Sequence, residues 1–255
     1  MAASEPWMTQ FSRYINSAPG IENTLRLLQF SCIVVGSLSG VSSSPWARAG
    51  SQFALGRRYF RYFKFIDYFE NAWAAYSLPE NTASQKRGFT ASTLEFCKWS
   101  MLGIYLLLEG ATIFDALGVQ KTAWGERALL ESNKFWLYAL VFSFLSTLWQ
   151  LFQLYRGVNT PTAPQTAENS DSKSSTSLSE KQSTPEKNDT NNDDVTMATR
   201  TLMKDLVITS CDILIPGYGI GWMPVSKLTM GIAAVVSTLL VGRDRWIKAQ
   251  ERLKG

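Results

Sequence analysis

The sequence predicts an all-α protein: a helical integral membrane protein with amino-terminal amphipathic helices, two to four membrane-embedded helices and a long disordered loop. Three observations lead to this prediction. Residues 53–76 combine many aromatic rings with four basic residues, and residues 135–155 form a run of 21 residues without a formal charge. Residues 157–199 are almost free of large apolar side chains, so they cannot bury a core.

Residues 1–90 form the predicted amino-terminal helical region. Apolar residues between 7 and 15 recur at helical spacing up to a Pro-Gly break. A second, more apolar helix follows over 21–38 and completes a helical hairpin. An interfacial amphipathic helix is predicted at about 46–78, and a polar linker over 80–90 ends the region.

The helix at about 46–78 is predicted to lie flat on a lipid surface. A basic residue near an anionic leaflet contributes about 1 kcal/mol, and burial of a large apolar side chain contributes about 1.5–3 kcal/mol. The alternative is the core helix of a soluble protein, which usually mixes both charge signs on its polar face. The predicted lipid-inserting apolar face consists of Leu55, Tyr59, Tyr62, Ile66, Phe69 and Trp73, and the predicted lipid-binding basic face consists of Arg57, Arg58, Arg61 and Lys64.

Residues 91–156 hold the predicted membrane-embedded helices. The uncharged stretch 135–155 would measure about 31 Å as a helix, which matches the hydrocarbon thickness of a bilayer. A second candidate, 94–119, contains Glu109 and Asp115, which must face protein, water or headgroups. These acids are expected at the polar edge of a shallow or helix-packed segment, with a pore-lining role as the alternative.

The remaining chain divides into a disordered, acidic, Ser/Thr-rich loop at 157–200 and a carboxy-terminal membrane helix region with a basic tail at 201–255. Seven acids oppose three lysines within 157–199, giving that segment a net charge of −4 and the rest of the chain +8. The short apolar stretch 228–242 is the third span candidate. The basic tail predicts a cytosolic carboxyl end, and a cytosolic amino end then requires two or four spans.

The composition argues against an enzyme and against a metal or other cofactor. The chain has no histidine, the usual general base and the commonest metal ligand. Its three cysteines are isolated, so neither a disulfide framework nor a zinc site is predicted. The glycines at 217, 219 and 221 lack the flanking elements of a phosphate loop and predict a bend. The aromatic face of the basic helix favours lipid over nucleic acid as its partner.

Three patches spread over the chain resemble the peroxin-eleven family of peroxisomal membrane proteins, and specifically a fungal member. They are RYINSAPGIENTLRLLQF at 13–30, LGRRYFRYFKFIDYF at 55–69 and KDLVITSCDILIP at 204–216, the last followed by an apolar helix and a basic tail. The long acidic loop and the strong apolar segment at 135–155 depart from the family pattern.

The resemblance implies a non-enzymatic, integral peroxisomal membrane protein that elongates and tubulates the membrane before fission and so controls peroxisome number and size. Both termini are expected to be cytosolic because the basic tail and the basic aromatic helix belong on the cytosolic side. It also implies four kinds of partner: membrane phospholipids, further copies and paralogues, the dynamin-type fission machinery and the peroxisomal membrane-protein import receptor. Two alternatives are a peroxisomal channel for small solutes, lined by Glu109 and Asp115, and a soluble helical interaction module.

Overall fold

The computed structural model describes residues 6–40, 45–77, 84–159 and 189–251. All regular structure within these ranges is helical, which confirms the predicted all-α class. The helices are α1 (Trp7–Asn16), α2 (Ala18–Leu38), α3 (Pro45–Arg61), α4 (Lys64–Ser77), α5 (Ser84–Ala111), α6 (Ile113–Ala116), α7 (Gly125–Asn159), α8 (Asp189–Ile220) and α9 (Lys227–Glu251).

The corner between α1 and α2 is a single residue, Ser17, in an extended conformation. Its side-chain oxygen accepts a hydrogen bond from the backbone N–H of Gly20 at 3.1 Å and so caps α2. Pro19 occupies the first turn, where its missing N–H costs nothing. A Cβ atom on Gly20 would lie only 1.8 Å from the carbonyl oxygen of Tyr14, so this corner requires glycine.

The predicted helix at about 46–78 is divided in two. Between α3 and α4, Tyr62 and Phe63 form a turn whose rings pack edge to face with centroids 4.9 Å apart. The backbone N–H of Tyr62 donates to the carbonyl of Tyr59, three residues earlier, at 3.4 Å. Hydrophobic periodicity averages over several turns, so it does not register one tightened turn.

The larger helices pack as a closed circuit. Helix α2 packs against α3 and α9, and α3 contacts α5 and leads into α4, which also packs against α5. Helix α5 then packs against α7, α7 against α8, and α8 against α9. The hydrophobic centre at the α2–α9 contact contains Phe30, Met230 and Ala234, all buried. The amino-terminal and carboxy-terminal thirds of the chain therefore share one core.

Two loop predictions are partly wrong. Helix α7 continues to Asn159 and α8 begins at Asp189, so both flanks of the predicted 157–200 loop are helical. Its centre, 160–188, lies outside the described residues. Likewise, α5 begins at Ser84 within the predicted 80–90 linker. Polar residues such as Gln and Lys are good helix formers, so a polar composition alone does not distinguish a loop from a helix end.

The bend predicted at the glycines 217, 219 and 221 occurs at the last of them. Helix α8 accommodates Pro216 and continues to Ile220, and the chain turns at Gly221, whose φ is +83°. This left-handed conformation suits glycine because it has no Cβ atom.

One helix of the described part of the chain, α7, is long and apolar enough over Gly125–Arg156 to cross a membrane, judged by length and composition. Only 17% of its apolar window is buried inside the protein, whereas a soluble core helix is mostly buried. The stretches 94–119 and 228–242 lie largely in α5 and α9. The total of two to four membrane-embedded helices stays a prediction.

Candidate lipid-binding surface

The basic face predicted on α3 and α4 points toward other helices of the chain. Arg61 donates a hydrogen bond from Nη2 to Oε1 of Glu109 on α5 at 2.9 Å, and its Nε lies 3.9 Å from Oε1 of Glu22 on α2. Arg58 Nε lies 3.7 Å from Oε1 of Glu109. Lys64 donates from Nζ to Oε2 of Glu22 at 2.7 Å. The structure therefore brings three of the four basic residues onto two glutamates.

Arg57 is the most buried of the four basic residues, with 8% of its surface exposed. Its Nη1 donates to Oε1 of Gln29 on α2 at 2.7 Å. Burial, followed by the positive charges of Arg61 and Arg26, lowers the pKa of Arg57 to about 9. The guanidinium stays charged at neutral pH, and its charge lies at the α2–α3 contact.

Glu22 is the acid that sequence reasoning missed. Burial acts to raise the pKa of Glu22, but the hydrogen bond from Lys64 and the charges of Lys64 and Arg61 outweigh burial and hold the pKa below its ordinary value. The available signal was a lone acid at the start of the apolar stretch 21–38, where an unpaired charge is costly.

Glu109 and Asp115, the pore-lining residues of the channel alternative, both accept hydrogen bonds from other groups of the protein. Glu109 is buried and accepts hydrogen bonds from Arg61 and from the hydroxyl of Tyr105, the latter at 3.1 Å. Asp115 accepts from the backbone N–H and the hydroxyl of Thr122, at 2.5 and 2.6 Å, and so closes the turn that follows α6. Their side chains have structural partners, and the channel alternative is not favoured.

The opposite side of α3 and α4 presents rings to the outside. Of the six predicted lipid-inserting residues, Tyr59, Ile66, Phe69 and Trp73 are exposed, whereas Leu55 and Tyr62 are half-buried. The prediction omitted three exposed residues because it assumed one continuous helix. The structure defines what we call the exposed strip, and its members are Tyr59, Phe60, Phe63, Ile66, Phe69, Trp73 and Tyr76.

The exposed strip runs from the last turn of α3 along α4. Phe63 and Trp73 each leave 69% of their surface exposed, and Tyr76 leaves 71%. Trp73 and Tyr76 contact each other with ring centroids 6.0 Å apart. Adjacent exposed rings at this density mark an interaction surface, whereas isolated exposed apolar residues do not. The lipid-binding role of the basic face and the lipid-inserting role of the apolar face stay predictions.

A second polar circuit joins the amino-terminal and carboxy-terminal helices. Arg26 on α2 pairs with Asp212 on α8, and Asp212 accepts a hydrogen bond from the hydroxyl of Ser237 on α9 at 2.5 Å. Nδ2 of Asn23 donates to the hydroxyl of Tyr14 at 3.0 Å and to the carbonyl of Thr238 at 3.2 Å. These contacts fix α2 between its neighbours, and α2 in turn supplies the Glu22 that anchors α4.

The described residues contain neither a candidate metal-binding cluster nor a disulfide. Within the described ranges, no three residues among Cys, Asp and Glu come close enough together to hold a metal ion. The three cysteines are not disulfide-bonded.

The helical circuit, the exposed strip and one helix able to cross a bilayer define a helical, membrane-associated protein. The family model of peroxisomal biogenesis factor 11 (PEX11) matches residues 8–246, nearly the whole chain. The chain belongs to this family, so the predicted family resemblance is confirmed, while a fungal origin stays a prediction. No curated protein and no solved structure matches the chain significantly.

Family membership gives a coarse function. The protein acts in peroxisome biogenesis and proliferation and is located at the peroxisomal membrane. PEX11 is a family of biogenesis factors and is not a known enzyme family. Membrane lipids and other peroxisomal proteins are the partners that the family suggests.

Proposed function

We propose that this protein elongates and tubulates the peroxisomal membrane before fission, with the exposed strip of α3 and α4 inserted in one leaflet. The observation that carries the proposal is the opposite orientation of the two faces. The four basic residues point into the protein, and the rings of the exposed strip point outward. Each large ring that moves from water into lipid contributes about 1.5–3 kcal/mol. Rings inserted to a depth of about 5–10 Å expand one leaflet relative to the other and so favour curvature.

The internal pairing revises the role of the basic residues in this mechanism. Arg57, Arg58, Arg61 and Lys64 hold α3 and α4 against α2 and α5, so that the exposed strip is presented in a fixed orientation. A wedge that is anchored to a bundle transmits its displacement to the whole protein, whereas a free helix would rotate. Direct binding of these residues to headgroups is not required.

The finer assignments of partner and topology belong to the same proposal. Copies of the chain and its paralogues would concentrate curvature by association, the dynamin-type machinery would sever the tubule, and the membrane-protein import receptor would deliver the chain. Both termini are proposed to be cytosolic. In support, Gln250 near the end of α9 donates to the carbonyl of Gln10 on α1 at 3.1 Å, so these helix ends lie together.

The test is tubulation of vesicles by the full-length protein. Phe63→Gln combined with Trp73→Gln removes two rings that make few internal contacts, and we expect a severalfold loss of tubules in electron micrographs. Phe89→Gln combined with Trp124→Gln is the matched control, because both rings are exposed outside the strip. Unchanged tubulation by the strip variant, with equal incorporation in the vesicles, would refute the wedge.

Reversal of the basic charges does not distinguish headgroup binding by these residues from their structural role inside the bundle. Arg61→Glu would place a third acid beside Glu22 and Glu109 and would disrupt the bundle itself. The ring variants avoid this problem because the exposed strip faces outward.

A further inference from the structure

A polar cavity of about 320 Å³ lies between α5, α7 and α8. Its polar lining is unusual for α7, the helix of the described residues that is long and apolar enough to cross a membrane. The floor is made of the buried hydroxyls of Ser146, Thr147 and Thr209. The complete lining is Lys98, Ser143, Ser146, Thr147, Gln150, Asp205, Ile208 and Thr209.

The polar residues of α7 share one face of that helix and point away from its apolar surface. Thr147 satisfies its hydroxyl donor on the carbonyl of Ser143 at 3.0 Å, and Gln150 donates to the hydroxyl of Ser146 at 3.4 Å. Each hydroxyl oxygen keeps capacity to accept a hydrogen bond. A helix able to cross a bilayer rarely carries four polar side chains together unless they contact protein, water or a bound group.

The cavity lining contains one charge of each sign, on two different helices. Lys98 comes from α5, and its ammonium lies 4.3 Å from the centroid of the Trp99 ring. Asp205 comes from α8. Lys204, the cation next to Asp205 in the chain, is hydrogen-bonded to Asp244 on α9 at 2.7 Å. The lining is therefore polar and electrically neutral overall, with separated positive and negative groups.

We propose that this cavity binds a phosphoethanolamine group, with the phosphate beside Lys98 and the primary ammonium beside Asp205 and the hydroxyl floor. A zwitterion matches the two separated charges, whereas a simple anion or cation would leave one of them uncompensated. A primary ammonium has three N–H donors for the carboxylate and hydroxyl oxygens. The quaternary ammonium of choline has none, so choline is disfavoured.

The size of the cavity fits a headgroup. A volume of about 320 Å³ is at the lower end of the range of small-ligand sites, enough for a headgroup but not for acyl chains. Exposed apolar residues of α7 flank the cavity, with Leu145 and Leu148 at the level of its lining residues and Phe152 beyond Gln150. Acyl chains can lie along this surface, so the phospholipid is one source of the group and the soluble phosphate ester is the other.

The experiment is native mass spectrometry of the full-length protein after reconstitution in equal parts of phosphatidylethanolamine, phosphatidylcholine and phosphatidylglycerol. We expect the ethanolamine lipid to be retained selectively, and Lys98→Met to reduce its retention at least tenfold. Asp205→Asn leaves the cavity with a net positive charge, so we expect the preference to shift toward phosphatidylglycerol. Lys121→Met and Asp67→Asn are matched controls at exposed positions and should retain the wild-type preference.

A second arm separates the two sources. Soluble O-phosphoethanolamine is titrated against the same protein by calorimetry, with phosphocholine in parallel. Binding of lipid without binding of the soluble ester identifies the phospholipid as the source; binding of the soluble ester without selective lipid retention identifies a solute site. Equal retention of all three lipids together with no response to the soluble ester, in folded wild type and variants alike, overturns the proposal.

Discussion

Helices α3 and α4, compared with α7, show two ways in which a helix rich in large apolar side chains handles polarity. In α3 and α4 the basic residues Arg58, Arg61 and Lys64 turn inward and are neutralised by Glu22 and Glu109, which come from distant parts of the chain. In α7 the central stretch has no formal charge, and four of its polar side chains, three hydroxyls and one amide, line a cavity. Composition thus predicts that a helix meets lipid, but the partners on other helices decide which of its faces stays exposed.

The comparison predicts that charge partners matter most in the first region. Glu109→Gln leaves Arg61 buried without its nearest anion, and loss of one partner of a buried pair costs about 3–5 kcal/mol. We expect a fall of this size in the free energy of unfolding, measured by denaturant titration in micelles with circular dichroism. Glu70→Gln, an exposed position on α4, is the control and should change stability little. A Glu109 variant as stable as this control would contradict the inward role of the basic face.

A smaller loss is expected where the charged group keeps a neutral partner. Gln29→Leu removes the amide that accepts a hydrogen bond from Arg57 at 2.7 Å. Hydrogen bonds to charged groups contribute about 1.5–3 kcal/mol, so the same titration should show a loss within this range. Gln52→Leu, exposed on α3, is the control. Equal stability of the two variants would show that Arg57 does not depend on Gln29.

The pH dependence of stability sharpens the comparison further. The folded-state pKa of Glu22 is lowered, so the pairing of Glu22 stabilises the protein above the ordinary value of 4.5, and this contribution is lost as pH falls through the folded-state pKa below 4.5. The stability gap between wild type and Glu22→Gln should therefore narrow from pH 7 toward pH 3. Unfolding titrations at several pH values, with Glu70→Gln in parallel, measure this gap. A constant gap would mean that Glu22 is not the titrating partner.

The smallest effect is expected in α7. Thr147→Val removes a hydroxyl whose hydrogen bond goes to the carbonyl of its own helix, Ser143, and it keeps the side-chain shape. Such local bonds compete with the backbone ladder, so we expect a change within about 1 kcal/mol. A loss as large as that of Glu109→Gln would show that α7 depends on buried polarity as α3 and α4 do.

The sequence predicts the helices well because apolar periodicity, capping residues and proline are local signals. The corner at Ser17 and the uncharged stretch of α7 are of this kind. The turn at Tyr62 and Phe63 is not, because one tightened turn leaves the average period unchanged. The helical flanks of the 157–200 loop were missed because polar helix ends resemble loops in composition.

The sequence predicts the candidate lipid-binding surface less completely than it predicts the helices. The apolar spacing identified four of the exposed residues, since a periodic stripe must face either core or lipid. The orientation of the basic residues depends on Glu22, which lies 39 and 42 positions from its partners Arg61 and Lys64, and on Glu109 on α5. Pairings over such separations follow from tertiary packing, which a single sequence does not display.

The contact between α1 and α9 has a practical consequence for fusion proteins. Trp246 lies against Tyr14, with ring centroids 5.5 Å apart, and Arg245 donates to the carbonyl of Pro19 at 2.7 Å. A fluorescent domain attached before α1 and one attached after α9 would therefore stand side by side. Energy transfer between such a pair reports whether the helical circuit is closed, in a living cell and without any perturbation of the exposed strip.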